Sequence, residues 1–274
     1  MRVVSINVAH LPRVLTGESA RRRALRRAAL QRLVARERPD VLMLQEAWAM
    51  STDFVTRSLG FPYVVRQDAP AVGCPITLIS SGLVIASLHP LQHVRAVTYR
   101  DRFGIESLAR KGVLFATCML PGRYTERAIR PVAVATTHMQ TDTLSVPALC
   151  RNARRNRHVQ VSQATQLAES LALYIRQHNV TGYVLAGDFN VDSLQPARDG
   201  RMEYGVLREL LQASSPFEEE GTYPTAAFQT PLFPTRSVAI DHCFSSFPVL
   251  DANVANDDDI ASDHAAITTD FHVR

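Results

Sequence analysis

Six apolar, strand-like runs in this 274-residue chain are bordered at one end by side chains that a strand terminus does not need. Val3 to Ile6 is followed by Asn7, and Val41 to Leu44 by Gln45 and Glu46. Val132 to Thr136 runs into Thr137-His138-Met139-Gln140, and Tyr183 to Ala186 into Gly187-Asp188-Phe189-Asn190. Val238 to Ile240 is followed by Asp241-His242, and Ser262-Asp263-His264 stands before the last apolar run. Carboxylate and carboxamide oxygens are hard ligands for a divalent cation. Carboxylates and imidazoles also exchange protons during catalysis. Taken singly, an Asp or Asn at a strand end is a turn former. Six such ends in one chain of this size point to a single converging centre.

The runs that must position these groups are strands at Val3–Val8, Val41–Leu44, Tyr63–Arg66, Gly82–Ser87, Val94–Tyr99, Val113–Leu120, Val132–Thr137, Tyr183–Ala186, Val238–Phe244 and Ala265–Phe271. Their near-continuous apolar character suits sheets covered on both faces. A helix is expected over Ser19–Arg38, where Leu25, Ala29 and Leu33 recur at helical spacing beside Leu30 and Val34. Pro39 ends it, and Arg21 to Arg27 read as its solvated face. Further helices are expected near Thr52–Leu59, closed by Gly60, near Val159–Gln177 after a polar segment 141–157, and near Tyr204–Leu211. Dispersed helices among many strands fit two sheets packed face to face with helices outside, in one domain spanning 1–274.

Composition excludes several classes. With 46% hydrophobic and 20% charged residues the chain can bury a core, which rules out disorder and a minimal disulfide scaffold. Cys74, Cys118, Cys150 and Cys243 are far apart, against a zinc site and for buried free thiols. No apolar run reaches the ~20 residues that span a bilayer. Arg2 leads directly into a strand, leaving no signal peptide, so the expectation is a cytoplasmic protein, or a secreted one if a leader was trimmed. The net charge is +4, and Lys111 is the only lysine among 30 basic residues. Arginine in bulk invites a nucleic-acid reading; helix-face solvation and codon bias account for most of it.

The ordered set Asn7, Leu44-Gln45-Glu46, His138, Gly187-Asp188-Phe189-Asn190, Asp241 and Ser262-Asp263-His264 resembles the endonuclease/exonuclease/phosphatase superfamily. The resemblance runs through the whole chain in the family's order. It implies a pancreatic-deoxyribonuclease-like, four-layered α/β sandwich: two central, mostly antiparallel sheets flanked by helices, with the site at one rim. It also implies Mg²⁺, with Mn²⁺ or Co²⁺ as substitutes, held by Glu46 with Asn7 and Asp263 nearby. Asp188 would orient or deprotonate the attacking water, Asn190 would donate to a phosphate oxygen, and His138 and His264 would donate as charge builds. Asp241 would fix the tautomer of His264. Few carboxylate ligands suit Mg²⁺, which keeps several waters.

Shorter segments resemble neutral sphingomyelinases: Ser80-Ser81-Gly82-Leu83-Val84 with His89-Pro90-Leu91, Lys111-Gly112, Thr137-His138-Met139-Gln140, Gly187 to Val191 with Glu203-Tyr204, and the glutamine spacing from Gln160 to Gln166. They imply a sphingomyelin phosphodiesterase acting at a phospholipid or membrane surface, with no obligate protein partner and a monomeric state. Asp241-His242 departs from the expected Asp-Tyr. The Trp-rich hairpin of secreted bacterial sphingomyelinases is not recognisable, since Trp48 is the only tryptophan. Phe228, Leu232 and Phe233 in the Pro-rich segment 223–233 are candidates for membrane contact, and Arg151, Arg154, Arg155 and Arg157 for either lipid or nucleic-acid phosphates. The alternatives are a DNA or AP endonuclease, an inositol polyphosphate phosphatase (whose Trp-Cys-Asp-Arg-like segment is missing), and a non-catalytic arginine-mediated binder.

Overall fold

A computed structural model of the chain describes residues 1–10, 17–67, 80–122, 129–141, 153–194, 203–223, 238–255 and 261–273. In chain order the elements are β1 (Arg2–Asn7), α1 (Ala20–Glu37), β2 (Val41–Gln45), β3 (Tyr63–Arg66), β4 (Val84–Ser87), β5 (Leu91–Thr98), β6 (Gly112–Pro121), β7 (Ile129–His138), α2 (Ala153–His178), β8 (Tyr183–Asp188), α3 (Glu203–Leu211), β9 (Asp241–Ser245), β10 (Val249–Ala255) and β11 (Ala266–Phe271). A short π-type turn at Phe54–Ser58 and a 3₁₀ turn at Gly104–Leu108 lie between them.

The strands form a six-stranded sheet, ordered β10-β11-β1-β2-β4-β3, and a five-stranded sheet, ordered β5-β6-β7-β8-β9. Most pairs are antiparallel. Each sheet holds one parallel pair near its centre, β1 with β2 and β7 with β8. Parallel neighbours need a long crossover, and α1 and α2 supply the two. One apolar cluster fills the space between the sheets, joining Val3, Met43 and Ile85 to Leu114, Val134 and Val184. A second seats α1 on the first sheet through Leu30, Leu33 and Val34, and a third seats α2 and α3 on the other through Leu167, Leu171 and Leu207. Four layers result, and β2, β4 and β8 are buried along their whole length.

The first helix matches its expected bounds, with the Ser19 hydroxyl accepting from the Arg22 amide at 3.2 Å and Arg38 closing it in the left-handed region. Its faces differ from expectation. Leu25 is 61% exposed, whereas Arg26 is buried and bonds the carbonyls of Val8 and Ala261 and the Glu18 carboxylate. Leu25 sits one helical step beyond the buried stripe Arg26, Ala29, Leu30, Leu33 and Val34, and Arg26 is drawn inward by carbonyls of the site-bearing loops. The expected strand Val238–Phe244 begins only at Asp241, Val238 instead making an isolated bridge to Tyr223. The polar segment turns helical at Ala153. Strand β10 was not expected, because Pro248, Asp251 and Asn253 mask an edge strand. Cys118 and Cys243 are buried free thiols; Cys74 and Cys150 lie outside the described residues.

Candidate active site

The parallel pairs end on the same rim of the sandwich, so their C-terminal ends deliver the polar groups to one place, where open α/β sheets bind ligands. Register sets the row: Asn7 is paired with Gln45, His138 with Asp188, and Asp188 with Asp241 across β7, β8 and β9. Strand β11 runs antiparallel to β1, which brings Ser262-Asp263-His264 to the end of β1, and the Ser262 hydroxyl bonds the Asn7 carbonyl. Beneath the rim, the Gln45 amide donates to Ser5 at 3.1 Å in its own sheet and to Thr136 at 2.8 Å in the other.

The backbone is forced where the chain leaves these strands. Glu46 and Asn190 have φ of 52° and 54°, in the left-handed region. Such positions cost of order 1–3 kcal/mol and concentrate at functional sites. Gly187 is required by space, since a Cβ there would lie 2.2 Å from the Thr137 carbonyl oxygen. Gly82 packs on the Glu46 backbone and the Trp48 indole, whose N–H donates to the Ser80 carbonyl at 2.6 Å. The Ser80 to Gly82 segment therefore buttresses the Glu46 loop.

All eight expected residues lie in this rim. The Asn7 amide donates to Glu46 at 3.2 Å and to Asp188 at 3.0 Å. Asp188 accepts the Asn190 backbone N–H at 2.9 Å and stands 3.5 Å from His138 and 3.8 Å from His264. His264 Nδ1 meets Asp241 at 2.9 Å. Asp263 accepts from the Ser262 hydroxyl at 3.1 Å. The Asn190 amide donates to the Met139 carbonyl at 3.0 Å, which also receives the Lys111 ammonium at 2.8 Å.

Burial sets the electrostatics. It raises the Glu46 carboxyl above the usual range against the Asn7 hydrogen bond, with Asp263 adding to the rise. It pushes Asp188 up to about 7, with Asp241 reinforcing the shift and His264 opposing it. Burial alone would lower His264, but Asp241 and Asp188 outweigh it and raise the imidazole to about 10. His138 is held well below the ordinary histidine value by burial and by Lys111 and His264. The two imidazoles are thus shifted in opposite directions.

Four carboxylates share this rim, and Glu46 and Asp188 are raised mainly by burial, a desolvation cost of their charged forms that a hard cation beside them would offset. Glu46 supplies the hard oxygen such an ion takes. Asp188, Asp241 and His264 also present ligand atoms within 4.8 Å of one another. There the imidazole keeps its proton between two carboxylates, which suits an acid–base relay better than a metal cage.

Two contributors escaped the sequence reading. Glu106 pairs with Lys111 at 2.7 Å, and the Tyr223 ring packs on His264 with centroids 4.7 Å apart. His242, in place of the expected tyrosine, is buried, donates or accepts at the Val191 carbonyl at 2.9 Å and packs against the Tyr204 ring at 4.9 Å. Arg155 lies over the Phe103 ring at 4.3 Å, and Arg157 faces Glu203 at 3.8 Å. Arg151, the Arg154 side chain and Phe228, Leu232 and Phe233 fall outside the described residues.

Two expected outcomes arise here. Lys111 is 3% exposed, and its ammonium is gripped by one carboxylate and one carbonyl. A planar guanidinium is larger and forks differently, so Lys111→Arg should lower kcat about tenfold; wild-type kinetics would remove the argument. Burial lowers the His242 imidazole, against the opposing pull of hydrogen bonds to the Val191 and Ala239 backbone. The unfolded chain therefore binds the proton more readily, and stability is lost as pH falls below the unfolded value of about 6.5. His242→Phe should flatten the fall in Tm between about pH 7 and 5; parallel slopes would contradict this assignment.

A profile of the Endonuclease/Exonuclease/phosphatase family matches residues 4–264. No curated protein sequence matches the chain. Among solved structures it is similar to a beta toxin from Staphylococcus aureus, at 16% identity with 98% of each chain covered and a TM-score of 0.73. A mutant of that toxin with bound magnesium ions is similar at 15% identity, 98% coverage of each chain and a TM-score of 0.71. Sphingomyelinase C from Streptomyces griseocarneus aligns at 16% identity over 98% of each chain, with a TM-score of 0.68. TDP2 from C. elegans aligns at 15% identity over 99% of this chain and 75% of its own, with a TM-score of 0.65.

Proposed function

This chain belongs to the endonuclease/exonuclease/phosphatase family, and from that premise we propose that it is a Mg²⁺-dependent phosphodiesterase of sphingomyelinase type, acting as one catalytic domain. The observation that carries the reading is the continuous chain of contacts from Glu46 through Asn7 and Asp188 to His264 and Asp241. A divalent cation at Glu46, with Asn7 and Asp263 beside it, would supply Lewis acidity toward phosphate oxygens and the attacking water. Mn²⁺ or Co²⁺ would serve the same oxygen-rich set.

The side chains do the rest. Asp188, raised toward neutrality, takes a proton from water, and the Asn7 amide and Asn190 backbone N–H hold its two oxygens. Asp241 anchors Nδ1 of His264, leaving Nε2–H to donate to the phosphate. Neutral His138 donates a second hydrogen bond. Asn190 spends one amide hydrogen on Met139 and keeps the other for a phosphate oxygen.

Sphingomyelin is the favoured substrate because the segments that resemble sphingomyelinases surround this rim: Ser80 to Gly82 backs Glu46, Lys111 reaches Met139, and Tyr204 packs behind Asp241-His242. The enzyme would work as a monomer at a phospholipid surface without an obligate protein partner, and no helix among the described residues is long and apolar enough to cross a membrane. A nucleic-acid phosphodiester is the second reading, favoured by the exposed Arg155 over Phe103, a pairing that stacks on bases in other settings. A panel of sphingomyelin, lysophospholipid, supercoiled DNA, abasic DNA and inositol polyphosphate with Mg²⁺ separates them. Phosphocholine release supports the first; DNA nicking without it selects the second.

A further inference from the structure

Helix α2 carries three buried or half-buried glutamines on the face toward the rim, and each uses its carboxamide on backbone rather than on another side chain. Gln166 accepts from the Arg100 N–H at 2.9 Å and donates to the Thr98 carbonyl at 3.1 Å. Gln163 accepts from the Gln140 N–H at 2.8 Å and donates to the Asp101 carbonyl at 2.8 Å. Gln160 differs from both. Its two amide hydrogens go to the carbonyls of Gln140 at 2.8 Å and Asn190 at 2.7 Å, the first on the loop after β7 and the second on the loop after β8. A single carboxamide, 2% exposed, thus ties the loop leaving His138 to the loop leaving Asp188.

We infer that Gln160 is a positioning residue that holds Asn190 in its reactive orientation. Asn190 sits in the left-handed region at φ 54°, which asparagine tolerates better than other non-glycine residues, so what fixes the orientation of its peptide is its hydrogen bonds rather than its φ alone. Its N–H is held by Asp188 and its side chain by Met139; the carbonyl is held by Gln160 alone among the described residues. Releasing the carbonyl lets the peptide rotate and turns the free amide hydrogen of Asn190 away from the phosphate. Burying two unpaired carbonyls at this point also favours their rotation toward water.

This inference rests on the proposed role of Asn190, so the test includes that residue. Thermal melts, kcat and KM are measured on bis-p-nitrophenyl phosphate with Mg²⁺ for Gln160→Met, Gln160→Leu, Gln163→Met, Asn190→Ala and the Gln160→Met/Asn190→Ala pair. Gln160→Met, matched in shape but without donors, is expected to lower kcat about 10- to 100-fold with KM within about twofold. Gln160→Leu, smaller and likewise without donors, is expected to follow it and serves if the Met variant does not fold. Gln163→Met, as buried but not bonded to Asn190, is expected to lower Tm with kcat within about threefold. The pair should be no slower than Asn190→Ala alone, since a residue acting through Asn190 has nothing left to position. If Asn190→Ala turns over normally, the reading of the site fails. If Asn190→Ala is crippled while Gln160→Met keeps its kcat, or if the two losses multiply, the positioning role of Gln160 is overturned.

Discussion

Asp188→Asn is expected to lower kcat by at least ~10³-fold while leaving the protein folded, which lies within the loss that follows removal of a group acting in concert with others. The position is the junction of the site: one oxygen meets Asn7 and faces both imidazoles, and the other accepts from Asn190. Asparagine keeps the shape but cannot take a proton. It also removes the anion that, with Asp241, keeps His264 charged. Stability should change less than activity. Burial already opposes ionisation of Asp188, so a neutral amide relieves an unfavourable charge, while its NH2 faces one of the two donors, Asn7 or Asn190, that the carboxylate satisfied. His264→Ala should be comparably inactive. Turnover surviving both substitutions in folded protein would mean that the chemistry is not carried by this rim.

Glu46→Gln is the second large effect, and its signature is thermodynamic as well as kinetic. In the wild-type protein, Mg²⁺ should raise Tm in a concentration-dependent way, because an ion that binds only the folded state stabilises by mass action. Removing the Glu46 charge should abolish that rise and push the Mg²⁺ activation constant up by at least about tenfold. Chelation should silence the wild-type enzyme, with Mg²⁺ restoring it and Mn²⁺ or Co²⁺ substituting. A Glu46→Gln protein whose Tm still climbs with Mg²⁺ would move the cation elsewhere.

What the sequence made legible follows from locality. Apolar runs that end in polar residues are visible one strand at a time, and β1, β2, β7 and β8 delivered Asn7, Glu46, His138 and Asp188 to one rim. The caps of α1 were equally local, with Ser19 before it and Pro39 after. Long-range contacts were harder to read. Arg26 and Leu25 exchanged their expected environments because carbonyls at Val8 and Ala261, distant in sequence, reward a buried guanidinium. The β10 strand places Asp251 and Asn253 among its seven residues and lies at a sheet edge, with no further strand beside it among the described residues. Gln160 and Gln163 were visible as a spacing, but their partners lie on loops after β5, β7 and β8 and cannot be read from α2 itself. Lys111 stood out as the only lysine, and its burial against Glu106 and Met139 supplies a physical reason for it.

The most direct measurement is the mass of phosphocholine released from sphingomyelin vesicles by the protein and Mg²⁺ in ¹⁸O-water. Attack of water on phosphorus predicts phosphocholine carrying one ¹⁸O, formed by the wild-type protein and not by Asp188→Asn. Unlabelled phosphocholine, equal release by the variant, or no release at all would contradict the account.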